Sequence, residues 1–163
     1  MAFLDSKSSG LSEHSADISS HMMPVKISET WSKRVLEEFI NVSAAEEAAG
    51  VALTPFLVGL DDPLRAAQCQ LGFLEGFVSP LWMLIINGID SVISSSRSTS
   101  TSAGAGVHEN TEADTQQQQL ILSLRQNLKE NQEFWKTAIE NSRRGQQEES
   151  AGKDYKLLEK KKD

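Results

Sequence analysis

The sequence predicts an all-α fold, and three observations support this class. Apolar residues recur at three- and four-residue intervals in three separate segments, which is the period of amphipathic helices. No segment shows the sustained alternation of apolar and polar residues that is typical of a half-buried strand. The chain has 163 residues, of which 39% are hydrophobic, so it is long enough for one ordinary domain with a core.

The first predicted helix begins near residue 27. The apolar residues expected to form its buried face follow at four-residue steps: Ile27, Trp31, Val35 and Phe39. Ser43 followed by Glu46 has the spacing of a capping box, and Gly50 is placed to end a short second helix. We therefore expect one long amphipathic helix and then a short one.

Another helix is predicted after a loop that contains Pro55 and Gly59. Asp62 and Pro63 are suited to the N-cap and the first helical position. Its expected apolar stripe consists of Leu64, Ala67, Leu71, Leu74 and Val78. Pro80 is expected to kink this helix, because proline has no backbone N–H to donate. Residues 81–93 are apolar on nearly all sides, so we expect them to be deeply buried.

The last predicted helix precedes residue 141. Its apolar stripe consists of Ile121, Leu124, Leu128, Trp135 and Ala138. Residues 94–117 are rich in Ser, Thr and Gly without a periodic apolar face, so we expect a flexible insertion there. The predicted organisation is a loose segment at 1–13, a helical domain at 14–140 that contains the insertion, and a charged tail at 141–163.

Charge and composition exclude several classes of function. Sixteen basic and 23 acidic residues give a formal net charge of −7, which opposes nucleic-acid binding. The most apolar run, residues 77–89, is interrupted by Pro80 and has the length of a core helix, so no membrane span is expected. The N-terminus has no pattern of a secretory signal. A single cysteine, Cys69, indicates a reducing compartment, and we expect a cytoplasmic protein.

Few residues point to chemistry on their own. The three histidines lie in segments expected to be loops, and Asp17 alone is as typical of a helix cap or a surface charge as of a metal ligand. Gln70 and Phe73 are three residues apart and therefore share a helix face. An amide beside an aromatic ring can hold a flat heterocycle. The same pattern fits a helix with Phe73 in the core and Gln70 at its boundary.

Several short motifs occur in a recognisable order. They are HSADIS at 14–19, WSKRVLEEF at 31–39, LTPF at 53–56, QCQLGF at 68–73 with PLW at 80–82, and NQEFW at 131–135. In this order they resemble the C-terminal third of the class I 3′,5′-cyclic-nucleotide phosphodiesterase catalytic domain. That family has the motifs H-x-A-D-[LI]-S, W-x-x-R-[IV]-x-E-E-F, S-Q-x-G-F followed by P-L-[WY], and N-[RQ]-x-[WF]-[WY].

The resemblance implies a fold, a substrate and roles for five residues. The family's domain is an all-helical bundle with two divalent metals, zinc and magnesium, whose bridging hydroxide attacks the phosphate of cAMP or cGMP. Asp17 would be a ligand of the tightly bound metal. Gln70 would recognise the purine edge, and Phe73 and Val35 would contact the two faces of the base. Phe39 would line the neighbouring apolar wall.

The sequence departs from the family at the motifs that carry most of the metal ligands. The family's H-N-x-x-H-A segment and H-D pair are absent and would precede residue 14. We therefore expect a partial helical bundle with disordered termini, without a catalytic residue of its own, and with the missing upstream part of the domain as a possible partner. The preference for cAMP or cGMP stays open. The alternative is a non-catalytic helical module that binds a partner through exposed apolar faces.

Overall fold

A computed structural model describes residues 15–100 and 112–159 of the chain. Within these ranges there are four α-helices and no β-strand: α1 (Val25–Ala49), α2 (Pro63–Phe73), α3 (Ser79–Ser100) and α4 (Glu112–Glu159). A 3-10 turn, Ser19–Met22, precedes α1, and a π-helical turn, Leu74–Val78, joins α2 to α3. The predicted all-α class is confirmed.

The described residues form two compact units. The first contains the described parts of Met1–Ser28 and Phe73–Asn131, and the second contains those of Glu29–Gly72 and Gln132–Asp163. The second unit has a core cluster whose members come from α1, the loop after it and α2: Leu36, Leu57 and Leu60, with Phe39, Ile40, Ala66 and Cys69 packed against them.

The face that α1 buries is rotated by one residue from the predicted face. The most buried side chains follow at four-residue steps from Ser28 through Ser32 to Leu36. Ile27 and Trp31 are 47% and 49% exposed, so the prediction is wrong for these two residues. A hydrophobicity pattern misses this face because serine counts as polar in the sequence, although its side chain is small enough to be buried in a helix contact.

The C-terminal end of α1 differs in two respects from the prediction. The helix continues without a break to Ala49, so the expected second short helix is absent. Gly50 follows with a φ of +65°, the left-handed conformation that was predicted to end the helix. Glu46 does not form a capping box. Its carboxylate accepts hydrogen bonds from the backbone N–H of Thr54 at 2.8 Å and from the Thr54 hydroxyl at 2.6 Å.

The predicted start of α2 is confirmed. Asp62 Oδ1 accepts a hydrogen bond from the Leu64 N–H at 3.1 Å, and the Asp62 carbonyl accepts one from Ala66 at 2.9 Å. Pro63 is the first helical residue, where its missing N–H costs nothing. The stripe that follows is confirmed at its three most buried positions: Ala67, Leu74 and Val78.

The helix passes through Pro80 by way of the π turn. The Ser79 N–H donates to the Leu74 carbonyl, five residues earlier, instead of to the residue four earlier. This wider turn lies immediately before the proline, whose ring removes a backbone donor. α2, the π turn and α3 therefore form one continuous helical stretch.

The apolar segment after Pro80 is much less buried than its composition predicts. Ile86 is fully buried, but Leu84 is 62% exposed and Val92 is 67% exposed. Phe77, just before the proline, is 67% exposed. The expectation of deep burial is therefore wrong among the described residues, because no described side chain covers this side of α3.

One helical stretch is long and apolar enough to cross a membrane by length and composition alone. It comprises Pro63–Val92, and its most apolar window has a mean hydropathy of 1.5. The apolar run at 77–89 is shorter than this stretch because the charged residues Glu75 and Asp90 bound it. Since a core helix of a soluble protein meets the same criteria, this is a weak indication, and the absence of a membrane span stays a prediction.

Two segments expected to be irregular are helical where they are described. α3 extends to Ser100 and α4 begins at Glu112, so both ends of the expected insertion at 94–117 are helical. α4 also continues past residue 141 to Glu159. Glycine costs only about 1 kcal/mol in a helix, and Glu, Gln, Lys and Arg are good helix formers, so two glycines do not end α4. Residues 1–13, the expected loose segment, lie outside the described residues.

Candidate functional site

A cleft in the first unit brings together two residues that the sequence analysis selected. The cleft has a volume of about 390 Å³ and is lined by Asp17, Ile18, Phe73, Phe77 and Leu81. The rings of Phe73 and Phe77 are stacked, with centroids 5.8 Å apart and planes inclined by 28°. Asp17 is exposed. The cleft therefore combines an aromatic wall with one carboxylate.

The chain segment after Asp17 is held by asparagines of α4. Asn131 is 1% exposed, and its Nδ2 donates to the carbonyls of His21 and Met23, each at 2.9 Å. Asn127 donates in the same way to the carbonyl of Met22 at 2.9 Å. These bonds pair three carbonyls of the 3-10 turn and the residue after it, and so they fix the backbone beside the cleft.

The sequence analysis missed the role of Asn131, although a signal was present. Asn131 lies between Leu128 and Trp135 on the face where the apolar stripe of α4 continues, and all three side chains are buried. A polar residue in such a stripe must find hydrogen-bond partners when it is buried. Asn131 is also the first residue of the motif NQEFW.

His21 contacts the cleft's aromatic wall. It was expected in an exposed loop, but it is 8% exposed, so that expectation is wrong. Its ring approaches the Phe73 ring edge-on, with centroids 5.2 Å apart. Ser20 Oγ lies 3.3 Å from His21 Nδ1. The other two histidines, His14 and His108, lie outside the described residues.

The described residues do not fit a two-metal centre. Asp17 is available as a ligand, but residues 15–100 and 112–159 contain no group of three or more His, Cys, Asp or Glu side chains placed to hold a metal ion. His21 is the histidine nearest to Asp17 in the described part of the sequence, and its ring packs against Phe73. Several protein ligands are needed to hold two metal ions. Only ions that are held in this way lower the pKa of a bound water.

The remaining selected residues belong to the second unit. Gln70 is 5% exposed, and its Oε1 has no hydrogen-bond partner among the described residues. Phe39 is half-buried in the core cluster and meets the Phe56 ring edge-on at 5.9 Å. Val35 is half-buried. An amide oxygen buried without a partner costs about 1–3 kcal/mol, which a ligand or water would recover.

The structure reverses the simpler interpretation of the Gln70 and Phe73 pair. That interpretation placed Phe73 in the core and Gln70 at its boundary. Gln70 is instead one of the most buried polar residues described, whereas Phe73 is only half-buried and lines the cleft. The sequence could not reveal this difference because both residues occupy the same helix face.

Cys69, which follows the first glutamine of the QCQLGF motif, packs against the core cluster of the second unit. Burial raises the pKa of its thiol, and the charge of Arg65 opposes this effect in part. A raised pKa leaves little thiolate at neutral pH, so this side chain serves as packing.

The chain belongs to the 3′,5′-cyclic nucleotide phosphodiesterase family. The family model described as 3'5'-cyclic nucleotide phosphodiesterase matches residues 6–96, which is more than half of the chain. This range includes Asp17, Val35, Phe39, Gln70 and Phe73. Enzymes of this family are generally metal-dependent.

Two curated relatives share part of the chain. One is the high affinity cGMP-specific 3′,5′-cyclic phosphodiesterase 9A of Drosophila melanogaster, 45% identical over 69 residues, which cover 41% of this chain and 4% of that protein. The other is the cGMP-specific 3′,5′-cGMP phosphodiesterase 3 of Dictyostelium discoideum, 33% identical over 78 residues, which cover 48% of this chain and 16% of that protein. The chain thus spans a small fraction of each relative. No solved structure matches it.

Proposed function

We propose that this chain is part of a cyclic-nucleotide phosphodiesterase catalytic domain and supplies the wall that binds the purine together with one metal ligand. The reaction of the assembled domain is hydrolysis of a 3′,5′-cyclic nucleotide to the 5′-monophosphate. Because both relatives named above are cGMP-specific, cGMP is the substrate proposed first and cAMP the second.

The buried amide of Gln70 is the observation that carries this proposal. Its Oε1 is buried and has no hydrogen-bond partner in the described part of the chain. A carboxamide offers one acceptor and two donors, and a purine edge offers a complementary donor and acceptor. A bound base would therefore remove the cost of the unpaired oxygen.

The other selected residues complete the proposal. Within the first unit, Phe73 is proposed to stack on a base in its cleft. Within the second unit, Val35 is proposed to contact a face of the base and Phe39 to line an apolar wall. Asp17 is one ligand of a tightly bound zinc, with magnesium in the partner site. The described residues contain no group of three or more side chains placed to hold a metal ion, and we propose an upstream part of the catalytic domain as the source of the remaining ligands.

Nucleotide binding tests the role of Gln70. Binding of cGMP and cAMP to the purified chain would be measured by isothermal titration calorimetry for the parent protein, Gln70→Leu and Gln68→Leu. Gln68 lies on the same helix but is exposed, so it is a matched control. We expect Gln70→Leu to weaken binding about tenfold or more and Gln68→Leu to leave it unchanged. Equal binding by a folded Gln70→Leu variant would overturn the assignment.

Hydrolysis is expected to be absent from the 163-residue chain alone. Asp17 by itself cannot hold two metal ions, so adding zinc and magnesium does not create the catalytic centre. The measurement is release of 5′-monophosphate from cGMP and cAMP with both metals present. Hydrolysis that is lost in Asp17→Ala would contradict the proposal of an incomplete site.

A non-catalytic interaction module is the second candidate. The observation that favours it is the exposure of Phe77, Leu84 and Val92 along one helical stretch. A module of this kind is expected to be a stable monomer that unfolds cooperatively, whereas a part of a larger domain is expected to associate or to melt without a sharp transition. Light scattering after size-exclusion chromatography, together with thermal melting, distinguishes the two.

We also propose a cytoplasmic location. The observation that supports it is the single cysteine, Cys69, which is a free thiol packed against a core. Fractionation of cells that express the tagged chain is the measurement. Recovery in the membrane pellet, with resistance to carbonate extraction, would contradict both this proposal and the predicted absence of a membrane span.

A further inference from the structure

Thr54, in the loop between α1 and α2, is hydrogen-bonded to a side chain of α1, that of Glu46. Its backbone N–H and its hydroxyl both donate to the carboxylate of Glu46, at 2.8 Å and 2.6 Å. Further along the loop, Arg65 donates to the carbonyls of Val58 and Pro55, the latter at 3.5 Å. The interaction between Thr54 and Glu46, which we call the Thr54 latch, therefore helps to hold the first half of the loop, together with the bond from the Val51 N–H to the Glu46 carbonyl at 3.2 Å.

Thr54 also stands in a sequence context that protein kinases recognise. The sequence has two Ser/Thr-Pro dipeptides, Thr54-Pro55 and Ser79-Pro80. Ser79 lies within a continuous helical stretch, whereas residues 51–54 have irregular backbone. The flanking residues Val51 and Phe56 are 56% and 59% exposed. Thr54 and Ser79 are both half-buried. Because proline-directed kinases bind their substrates as extended chain, Thr54, whose backbone is not helical, is the better substrate of the two.

We propose that Thr54 is a phosphorylation site for a proline-directed protein kinase and that its phosphorylation opens the Thr54 latch. In this step the Thr54 Oγ attacks the γ-phosphorus of ATP. The new O–P bond forms as the bond to the β-phosphate oxygen breaks, and ADP leaves. The hydroxyl proton passes to the base of the kinase and then to solvent. The kinase acts as a separate protein and ATP is the co-substrate.

The chemistry of the latch explains why this modification opens it. Phosphorylation removes the proton that Thr54 donates to Glu46 and adds a charge of about −1.5 to −2 at that oxygen. The phosphate then stands beside the Glu46 carboxylate, and the two like charges repel. Because one carboxylate accepts both bonds of the latch, its displacement also breaks the bond to the Thr54 backbone N–H.

Opening of the latch is expected to change the side-chain packing in the core of the second unit. Phe56, two residues after Thr54, meets the ring of Phe39 edge-on at 5.9 Å, and Leu57 belongs to the core cluster. The Leu57 N–H also donates to the Thr54 carbonyl at 3.0 Å. A displaced Thr54 therefore loosens the packing around Phe39. An effect on purine binding through Phe39 rests on the proposed function, but phosphorylation and loop opening do not.

Phosphate transfer tests the site. The purified chain would be incubated with a proline-directed kinase and ATP, and phosphopeptides would be mapped by mass spectrometry. We expect phosphate on Thr54 in the parent protein and in Ser79→Ala, and none at residues 51–62 in Thr54→Val. Pro55→Ala, which keeps the hydroxyl but removes the recognition element, should also lose the phosphate. An unmodified Thr54 in the parent protein, or undiminished modification of Pro55→Ala, would overturn the site.

Hydrogen exchange tests the consequence. We expect the amide N–H groups of Thr54 and Leu57 to exchange about tenfold or more faster in the phosphorylated chain, because their hydrogen bonds are opened. Glu46→Ala should produce the same acceleration without phosphate. Exchange that is unchanged by stoichiometric phosphorylation of Thr54 would refute the latch. None of these measurements requires a nucleotide, so failure of the phosphorylation proposal is distinguishable from failure of the proposed function.

Discussion

At the scale of single residues, three buried or half-buried polar side chains differ in the contacts they make. Asn131 pairs two backbone carbonyls beside the cleft, and Glu46 holds Thr54 at the start of the loop. Gln70 Oε1 is buried without a described partner, as is Asn131 Oδ1, but Asn131 donates two hydrogen bonds through its Nδ2. Asn131 and Glu46 therefore stabilise the fold, whereas the binding role of Gln70 stays a proposal.

Replacing Asn131 with leucine is expected to destabilise the chain by about 2–4 kcal/mol. The substitution leaves the His21 and Met23 carbonyls without their donor, and each buried hydrogen bond lost costs about 1–2 kcal/mol. Thermal or urea unfolding measures the change. Asn141→Ala is the control, since Asn141 lies on the same helix but is exposed. Comparable destabilisation by both variants would contradict a specific role for Asn131.

The loop after α1 is expected to loosen at acidic pH. The hydroxyl of Thr54, and then its backbone N–H, hold the pKa of the Glu46 carboxyl below its ordinary value. A carboxyl with a lowered pKa contributes stability above its unfolded pKa, and this contribution is lost as the pH falls through the folded pKa. Hydrogen exchange of residues 51–57 between pH 7 and the acidic range measures the effect. Glu46→Gln should remove this part of the pH dependence, and an unchanged profile would exclude Glu46 as its origin.

At the scale of elements, the presence of a Gly or a Pro does not by itself decide whether a helix ends. The backbone conformation and hydrogen bonding at that residue decide it. Pro80 does not divide α2 from α3, because the π turn before it accommodates the missing N–H. Gly145 does not end α4, which continues to Glu159. Gly50 does end α1, since it adopts a positive φ and is followed by irregular chain.

Substitution of two glycines by alanine is expected to have opposite effects. Gly145→Ala should stabilise α4 by about 0.5–1 kcal/mol, because Gly145 is in a helix and an added Cβ meets no atom within 4 Å. Gly59→Ala should destabilise the loop by about 1–2 kcal/mol, because Gly59 has a φ of +74° and an added Cβ would lie 3.1 Å from the Arg65 Cδ. Helicity and unfolding free energy measure both effects. Changes of the same sign in the two variants would be inconsistent with these backbone conformations.

At the scale of the whole molecule, the chain exposes several large apolar side chains. It also spans only part of the length of the relatives it matches. Phe77, Leu84 and Val92 expose about two thirds of their surface each. In a larger domain such residues would be covered by other segments. In the chain alone, they are the expected origin of self-association.

Leu84→Gln is expected to reduce that self-association without loss of fold. Leu84 is 62% exposed, so its replacement removes apolar surface at little cost to the core. The apparent mass would be measured by light scattering over a range of protein concentrations. Ile86→Gln is the contrasting variant, since Ile86 is fully buried and its substitution should unfold the chain. A Leu84→Gln variant that associates as strongly as the parent protein would place the contact elsewhere.

The sequence by itself determined the helical class, the start of α2 at Pro63, most of the stripe on α4 and membership of a family. These follow from local periodicity and capping, which depend on neighbours along the chain. The tertiary structure decided which face of α1 is buried, that Gln70 is buried while Phe73 lines a cleft, and that Asn131 and Thr54 form their hydrogen bonds. These depend on contacts between residues from 8 to 110 positions apart in the sequence, because a side chain's burial and partners are set by what packs against it and not by its own polarity.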